Sequence, residues 1–255
     1  MDFPKHVWVC DVGPRDGLQN EQAPISTDDK VRMVDELIAA GVPQVEFGSF
    51  VSPTWVPRMA DSEEVFSRVN HSLAARLIAL VPNEKGYQRA RAAGVPAISL
   101  VAGPSETFQK KNLNMTVAEN MRLVETIAAQ AKADGVWSAV AFSTSWGCPY
   151  EGHVNPAMVV ELAARAFQAG AEQVSFADTT GMADPRHVQQ LLAMAKCAGI
   201  PVERTACHFH NTRGAGLANV LAALGEGVSN FDSSLGGLGG CPFAPKANGN
   251  ICTED

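Results

Sequence analysis

The chain has 255 residues, of which 46% are hydrophobic and 18% charged, a composition that supports a large buried core and excludes intrinsic disorder. A formal net charge of −7 provides no basic surface for nucleic acid, and no apolar run reaches the roughly 18 residues of a membrane span. The first residues carry no signal-peptide pattern and the six cysteines form no CxxC pair, so we expect a cytoplasmic protein with reduced thiols.

A short phrase recurs along the chain, first as AGVPQVEF and then as AGVPAISL, ADGVWSAV, AGAEQVSF, AGIPVERT and GEGVSNFD. Each copy follows a stretch of helical period and leads into a short apolar run. This pattern predicts a helix that ends at a glycine in the left-handed conformation, followed by a strand. Two further apolar runs, VWVCDV and ARLIALV, bring the number of predicted strands to eight.

Helical patterns alternate with these strands. The clearest cover Thr27–Ala40, Thr116–Ala133, Pro156–Ala169, Pro185–Ala198 and Gly214–Leu224. Strict alternation indicates a parallel sheet, and eight units in about 250 residues predict a closed (β/α)8 TIM barrel, a single domain over 1–255. A doubly wound open sheet is the alternative, but DVGPRDGLQN after the first strand is not a G-x-G-x-x-G turn. Thr253 has the position of an N-cap, so we expect a last helix beyond Asp255.

In such a barrel the chemistry lies at the carboxyl ends of the strands, in loops that include 102–114 after strand four. His208 and His210 are two apart on strand seven and therefore point to the same side. Barrel closure places strand eight beside strand one, so Asp16 and Asn250 can converge on the two histidines. This set of donors suits Mg²⁺ or Mn²⁺ better than Zn²⁺, because no thiolate joins it.

Other polar residues in these loops have two interpretations each. Arg15 forms a structural ion pair or faces charge that develops on a substrate oxygen, and Glu46 orients it or exchanges protons. Asp178 holds a histidine in its metal-binding tautomer or caps a turn. Cys241 lies in a glycine-rich loop where its thiol could transfer a proton, although most free cysteines only pack. The pair at Lys110 and Lys111, followed by Asn112, is a solvated surface or a phosphate contact.

Several dispersed motifs together resemble the 3-hydroxy-3-methylglutaryl-CoA lyase family of metal-dependent barrel lyases. They are VGPRDGLQNE (12–21), SFVSPTWVPRMAD (49–61), KKNLN (110–114), GCPYEG (147–152), ADTTG (177–181), HFH (208–210) and GLGGCPFA through GN (237–250). The resemblance implies a TIM barrel that cleaves 3-hydroxy-3-methylglutaryl-CoA to acetyl-CoA and acetoacetate, with a divalent cation and no organic cofactor.

The same resemblance implies roles for individual residues. It implies metal binding by Asp16, His208, His210 and Asn250, and catalytic roles for Arg15 and Cys241. From the residues themselves we also expect catalysis to involve Asp16, Glu46 and His208, and an acyl-CoA substrate to be bound by Gln19, Lys110, Lys111, Asn112, Ser143 and Asp178. In this mechanism Arg15 stabilises the enolate, Cys241 protonates it, and His208 or Asp16 is the base.

The sequence departs from the family pattern near the acyl group. It has HNTRG where the family has HDTYG, so that Asn211 and Arg213 replace an acid and an aromatic residue, and it has Asp11 for a glutamate. Strand five lacks the family's tyrosine near Ala141. We therefore expect the reaction type to be retained, with either 3-hydroxy-3-methylglutaryl-CoA or a close 3-hydroxyacyl-CoA homologue altered at C3 as the substrate. The alternatives are a condensing synthase of the isopropylmalate or homocitrate type and a non-catalytic acyl-CoA-binding barrel. An acidic barrel of this kind is also compatible with a homodimer.

Overall fold

The computed structural model describes residues 3–240 and 249–255, which form a closed barrel of eight parallel strands. The strands are β1 Trp8–Asp11, β2 Gln44–Ser49, β3 Arg76–Leu80, β4 Ala97–Ala102, β5 Trp137–Phe142, β6 Gln173–Asp178, β7 Thr205–Phe209 and β8 Asn230–Ser233. They follow each other around the barrel in chain order. The barrel is closed by parallel pairing of β8 with β1, where Cys10 lies opposite Asp232. The predicted (β/α)8 fold is confirmed.

Helices surround the barrel and connect its strands. They are α1 Thr27–Ala39, α2 Ser62–Arg68, α3 Glu84–Ala92, α4 Glu106–Leu113, α5 Val117–Ala133, α6 Pro156–Ala169, α7 Pro185–Cys197 and α8 Gly216–Gly225. A π-helical turn at Gly13–Gly17 follows β1, and a small antiparallel hairpin joins Gly147–Cys148 to Gly152–His153. No helix within residues 3–240 or 249–255 is long and apolar enough to cross a membrane.

The six glycines of the recurring phrase end their helices as the sequence predicts. Their φ angles lie between 71° and 113°, a region that residues with a Cβ atom enter only at a cost. They are Gly41, Gly94, Gly135, Gly170, Gly199 and Gly227. The recurrence is therefore a repeated helix C-terminus that turns the chain into the next strand.

The prediction of a loop over residues 102–114 is wrong, because α4 occupies most of that segment. Ser105 caps this helix by accepting a hydrogen bond from the backbone N–H of Phe108 at 3.1 Å. Only Phe108 and Gln109 of its eight residues are buried. So short an apolar face leaves too weak a helical period to be distinguished from a loop.

Alternate residues of each strand face the helices and the barrel interior. On β5, Val140 and Phe142 pack into the core between sheet and helices, whereas Ala139 and Ala141 face the interior. The helix-facing layer is rich in phenylalanine. Phe47, Phe142, Phe176 and Phe209 are each at most 1% exposed. This core positions the strand ends from which the polar side chains project.

The final segment of the chain is bonded to the ends of three strands. The Ile251 N–H donates to the Phe209 carbonyl at 3.1 Å, and the Ser234 N–H donates to the Ile251 carbonyl at 3.0 Å. Thr253 Oγ1 donates to the buried Asp11 Oδ2 at 2.7 Å and lies 2.7 Å from Ser233 Oγ. The hydroxyl of Thr253 therefore connects the chain end to β1 and β8.

We expect Thr253→Val to lower the free energy of unfolding by about 1.5–3 kcal/mol, since it removes a hydrogen bond to a buried carboxylate without changing side-chain volume. Urea unfolding followed by circular dichroism measures this loss. Thr126→Val is the matched control, because Thr126 Oγ1 bonds only the Arg122 carbonyl on the exposed face of α5. Equal stability of the two variants would contradict the anchoring role of Thr253.

Candidate active site

Three ionisable side chains converge at the carboxyl ends of the strands. His208 lies on β7, His210 directly follows that strand, and Asp16 lies in the π-helical turn after β1. One ligand atom from each residue lies within 4.8 Å of the others, and the two histidine Nε2 atoms are 3.1 Å apart. Two imidazoles and one carboxylate at this spacing form a possible binding site for a divalent cation.

Asn250 completes this cluster with an amide. Its Nδ2 donates to Asp16 Oδ2 and to the Leu238 carbonyl, both at 2.9 Å. Its Oδ1 is buried and accepts no hydrogen bond from the described residues. A buried carbonyl oxygen without a donor is costly unless a cation or water satisfies it. The unpaired oxygen next to Asp16 therefore fits a cation-binding position.

Arg15 joins Asp16 of the cluster to a second carboxylate, that of Glu46. Its Nε donates to Glu46 Oε2 at 2.5 Å and its Nη1 to Asp16 Oδ1 at 2.8 Å, while the Ser99 hydroxyl donates to Glu46 Oε1. Burial lowers the pKa of Arg15, but Glu46 and Asp16 outweigh burial and raise it above its ordinary value. The Arg15 guanidinium is thus a fixed cation, and its Nη2 makes no hydrogen bond with the described residues.

The pKa values of Asp16 and Glu46 shift in opposite directions, although both carboxylates bond Arg15. Burial raises the pKa of both. For Asp16, the charges of Arg15, His208 and His210 outweigh burial, so its pKa lies below the ordinary value. For Glu46, burial prevails over the opposing effects of Arg15 and Ser99, and its pKa is raised. Asp16 is therefore the carboxylate that remains charged beside the histidines.

Sequence reasoning missed Asp232, which orients His208. Asp232 lies opposite His208 in the pairing of β8 with β7, and its Oδ2 is 3.2 Å from His208 Nδ1. Ser175 Oγ lies 3.4 Å from the same oxygen. Burial lowers the pKa of His208, but Asp232 outweighs it and the pKa is raised. With its proton on Nδ1, His208 presents an unprotonated Nε2 to the cluster, and this nitrogen can bind a metal ion.

Asp178 does not hold a histidine, so that interpretation of the sequence is wrong. Its Oδ1 accepts a hydrogen bond from the Met182 N–H at 2.8 Å, which closes the turn after β6, and its buried Oδ2 has no partner among the described residues. Burial, only partly offset by hydrogen bonds from the Ala183 and Met182 backbone, raises the pKa of Asp178 to about 7. Asp178 therefore caps a turn, as the second interpretation predicts, and Asp232 is the residue that orients His208.

The remaining predicted residues that the structure describes lie outside this cluster. Ser143 is buried and donates to the Ala102 carbonyl at 3.0 Å, which joins the ends of β4 and β5. Gln19 is half-buried just after the π-helical turn. On α4, Lys111 Nζ lies 4.9 Å from the Tyr150 ring, Lys110 Nζ lies 3.4 Å from the Asn114 carbonyl, and Asn112 is half-buried. Cys241 lies outside the described residues.

The barrel and this cluster define a class of protein. It is a TIM-barrel enzyme that has, at the carboxyl ends of its strands, a partly buried arginine and side chains of the types that bind divalent cations. The family model described as HMGL-like matches residues 6–255. A 3-hydroxy-3-isohexenylglutaryl-CoA/hydroxy-methylglutaryl-CoA lyase of Pseudomonas aeruginosa is 43% identical over 255 residues, which cover 100% of this chain and 85% of the relative. An (R)-citramalyl-CoA lyase of Chloroflexus aurantiacus is 42% identical, with 98% and 81% covered.

A solved structure agrees with these relatives. An HMG-CoA lyase from Acinetobacter baumannii, in complex with coenzyme A and 3-methylmalate, superposes with a TM-score of 0.94 at 40% identity, covering 100% of this chain and 83% of that one. The chain therefore belongs to the HMGL-like family, as the sequence motifs indicate, and it is a carbon–carbon lyase.

The raised pKa of Asp178 predicts a pH-dependent stability. Between the ordinary carboxyl pKa of 3.8 and about 7, the folded state keeps a proton that the unfolded state has released. The free energy of unfolding should therefore fall as pH rises through this range, by up to about 1.4 kcal/mol per pH unit from this group.

Asp178→Asn should remove this contribution, because an amide keeps the acceptor for Met182 and cannot titrate. Urea unfolding at pH 5, 6, 7 and 8 compares the variant with the unaltered protein. Asp28→Asn, whose side chain is 79% exposed, is the control and should retain the slope. Parallel pH profiles for the unaltered protein and Asp178→Asn would contradict the assignment.

Proposed function

We propose that the chain cleaves 3-hydroxy-3-methylglutaryl-CoA, or a close 3-hydroxyacyl-CoA homologue, to acetyl-CoA and a 3-oxo acid such as acetoacetate. One observation carries the proposal: the cluster of Asp16, His208 and His210 lies beside the unpaired Asn250 oxygen, and its Asp16 is bonded to the partly buried Arg15. This places a cation site and a fixed positive charge next to each other. Cleavage next to a thioester needs both, one to bind the hydroxyl and one to meet the enolate.

Asp16, His208, His210 and Asn250 are proposed to hold the divalent cation that enzymes of this family use. One carboxylate, two imidazoles and an amide oxygen with open positions suit Mg²⁺ or Mn²⁺, and no thiolate of a described residue lies among them. When bound, such an ion lowers the pKa of a coordinated substrate hydroxyl and fixes its orientation.

Arg15 is proposed to stabilise the charge that develops on the thioester oxygen. Its Nε and Nη1 are engaged by Glu46 and Asp16, which fixes the plane of the guanidinium and leaves Nη2 for the substrate. Because the group is held before the reaction, its orientation costs nothing at the transition state. Glu46 is thus proposed to orient Arg15 and not to exchange protons.

The proton moves in two steps. A base takes the proton of the C3 hydroxyl, the C2–C3 bond breaks, and its electron pair passes to the thioester as an enolate. The two candidate bases are Asp16 and His208. Because Nε2 of His208 is assigned to the cation and its Nδ1 lies beside Asp232, the remaining lone pairs of the Asp16 carboxylate favour Asp16. The thiol of Cys241, proposed from the sequence motif alone, then supplies the proton that completes acetyl-CoA.

Purified protein with Mg²⁺ or Mn²⁺ should convert 3-hydroxy-3-methylglutaryl-CoA to acetyl-CoA and acetoacetate, measured by mass spectrometry of the products. Arg15→Met should lower kcat about 100- to 1,000-fold, as expected for loss of a charge-stabilising donor. Arg32→Met, on the exposed face of α1, is the control. Absence of cleavage with either ion would refute the proposal, and release of free CoA from acetyl-CoA and a 2-oxo acid would indicate the synthase alternative.

Asp232→Asn should weaken Mn²⁺ binding about 10- to 100-fold, because the Nδ1 proton of His208 loses its charged acceptor. Titration calorimetry with Mn²⁺ alone measures this affinity without turnover. Asp28→Asn serves again as the exposed control. Unchanged Mn²⁺ affinity in a folded Asp232→Asn protein would remove Asp232 from the ion-binding arrangement.

A further inference from the structure

The interior of the barrel mouth is divided into a polar half and an apolar half. The charged groups of the site come from β1, β2, β7 and β8 or from the turns that follow them. Opposite β7, β8 and β1, the interior positions of β3, β4 and β5 carry Leu80, Val101 and Ala141, and β3 adjoins β2. We call these three residues the apolar wall.

The strand register shows that the apolar wall faces the interior. Leu80 pairs with Ser99, and the Ser99 hydroxyl bonds Glu46 inside the barrel. Val101 is two residues beyond Ser99 and so lies on the same face of β4. Ala141 pairs with Val101 across the β4–β5 ladder.

The apolar wall remains open towards the mouth. Val101 and Ala141 keep partial solvent exposure although their strand neighbours Leu100, Ala102, Val140 and Phe142 are at most 2% exposed. Leu80, deeper against Ser99, is 9% exposed. The side chain at the centre of the wall, that of Ala141, is a single methyl group, which is partly exposed and takes up little of the interior.

We propose that the apolar wall receives the C3 substituent of the substrate and accepts alkyl groups longer than methyl. The inference rests on the proposed lyase function. C3 is tetrahedral and carries a hydroxyl, a carboxylate arm, a thioester arm and one alkyl group. With the hydroxyl and carboxylate directed at the polar half, and the thioester arm at Arg15 and the mouth, the alkyl group points across the barrel to the apolar wall.

The apolar wall and an alkyl group at C3 match in polarity. The wall offers no hydrogen-bonding side chain, so it gains from an alkyl group and not from a polar one. Each buried methylene favours binding about fourfold. The Pseudomonas relative, by its name, acts on substrates with either a methyl or an isohexenyl group at this carbon. A relative that is 43% identical to this chain therefore accepts both a short and a long substituent at C3, according to its name.

The test compares kcat/KM for 3-hydroxy-3-methylglutaryl-CoA with that for its 3-butyl homologue, with Mg²⁺ present. For the unaltered protein we expect the butyl substrate to be cleaved at least one tenth as efficiently as the methyl substrate. Ala141→Leu should take up more of the interior and lower the butyl-to-methyl ratio at least tenfold, since a hydrophobic pocket discriminates about 10-fold or more per unaccommodated methylene.

Two further variants complete the design. Val101→Ala enlarges the same wall and should raise the butyl-to-methyl ratio, which keeps the test decisive if Ala141→Leu fails to fold. Ala92→Leu makes the matched change on the exposed surface of α3 and should leave the ratio unaltered. Thermal melts by circular dichroism verify that each variant is folded.

The outcomes separate the two proposals. Cleavage of neither thioester by the unaltered protein refutes the lyase function itself. Cleavage of the methyl substrate alone, or a butyl-to-methyl ratio unchanged by both Ala141→Leu and Val101→Ala, leaves the lyase function standing and overturns the role of the apolar wall.

Discussion

Pairing of β1 with β8 is the constraint on which the site depends. In an open sheet of the same strand order, Asp16 after the first strand and His208 on the seventh would lie at opposite ends. Closure makes β7, β8, β1 and β2 neighbours and brings together side chains separated by about two hundred residues of chain. Asn250 reaches the same point because the final segment pairs with the ends of β7 and β8. The chemistry is thus a product of topology.

The charge of the site is unbalanced once it is assembled. Asp16, Glu46 and Asp232 contribute three carboxylates around the single guanidinium of Arg15. Buried charges of one sign raise each other's ionisation cost unless a cation joins them or a proton is taken up. The excess of carboxylates explains why an oxygen-preferring cation suits this place. It also explains why Arg15 is held so firmly as a cation.

Local signals in the sequence predicted the helices and strands better than they predicted the contacts between distant residues. Gly41 and Gly170 could be identified as helix ends because a left-handed residue is a local requirement. The proximity of Asp16 to His208 follows from barrel closure, which strand counting predicts. Asp232 could not be separated from Asp178 in this way, since the choice depends on register: Asp232 lies opposite His208, whereas Asp178 pairs with Phe209, one residue further. A shift of one residue reverses the direction in which a strand side chain points.

Asn250 connects the proposed cation site to Leu238, in addition to being a proposed ligand. Its Nδ2 bonds both Asp16 and the Leu238 carbonyl, so one amide group touches the cluster and the start of the segment that leads back to it. A cation bound at Oδ1 would hold the amide in this orientation and so favour this placement of Leu238. By thermodynamic reciprocity, whatever shifts Leu238 away from Asn250 must weaken cation binding to the same degree. With the cation bound as proposed, ion occupancy and the position of Leu238 would form one coupled equilibrium.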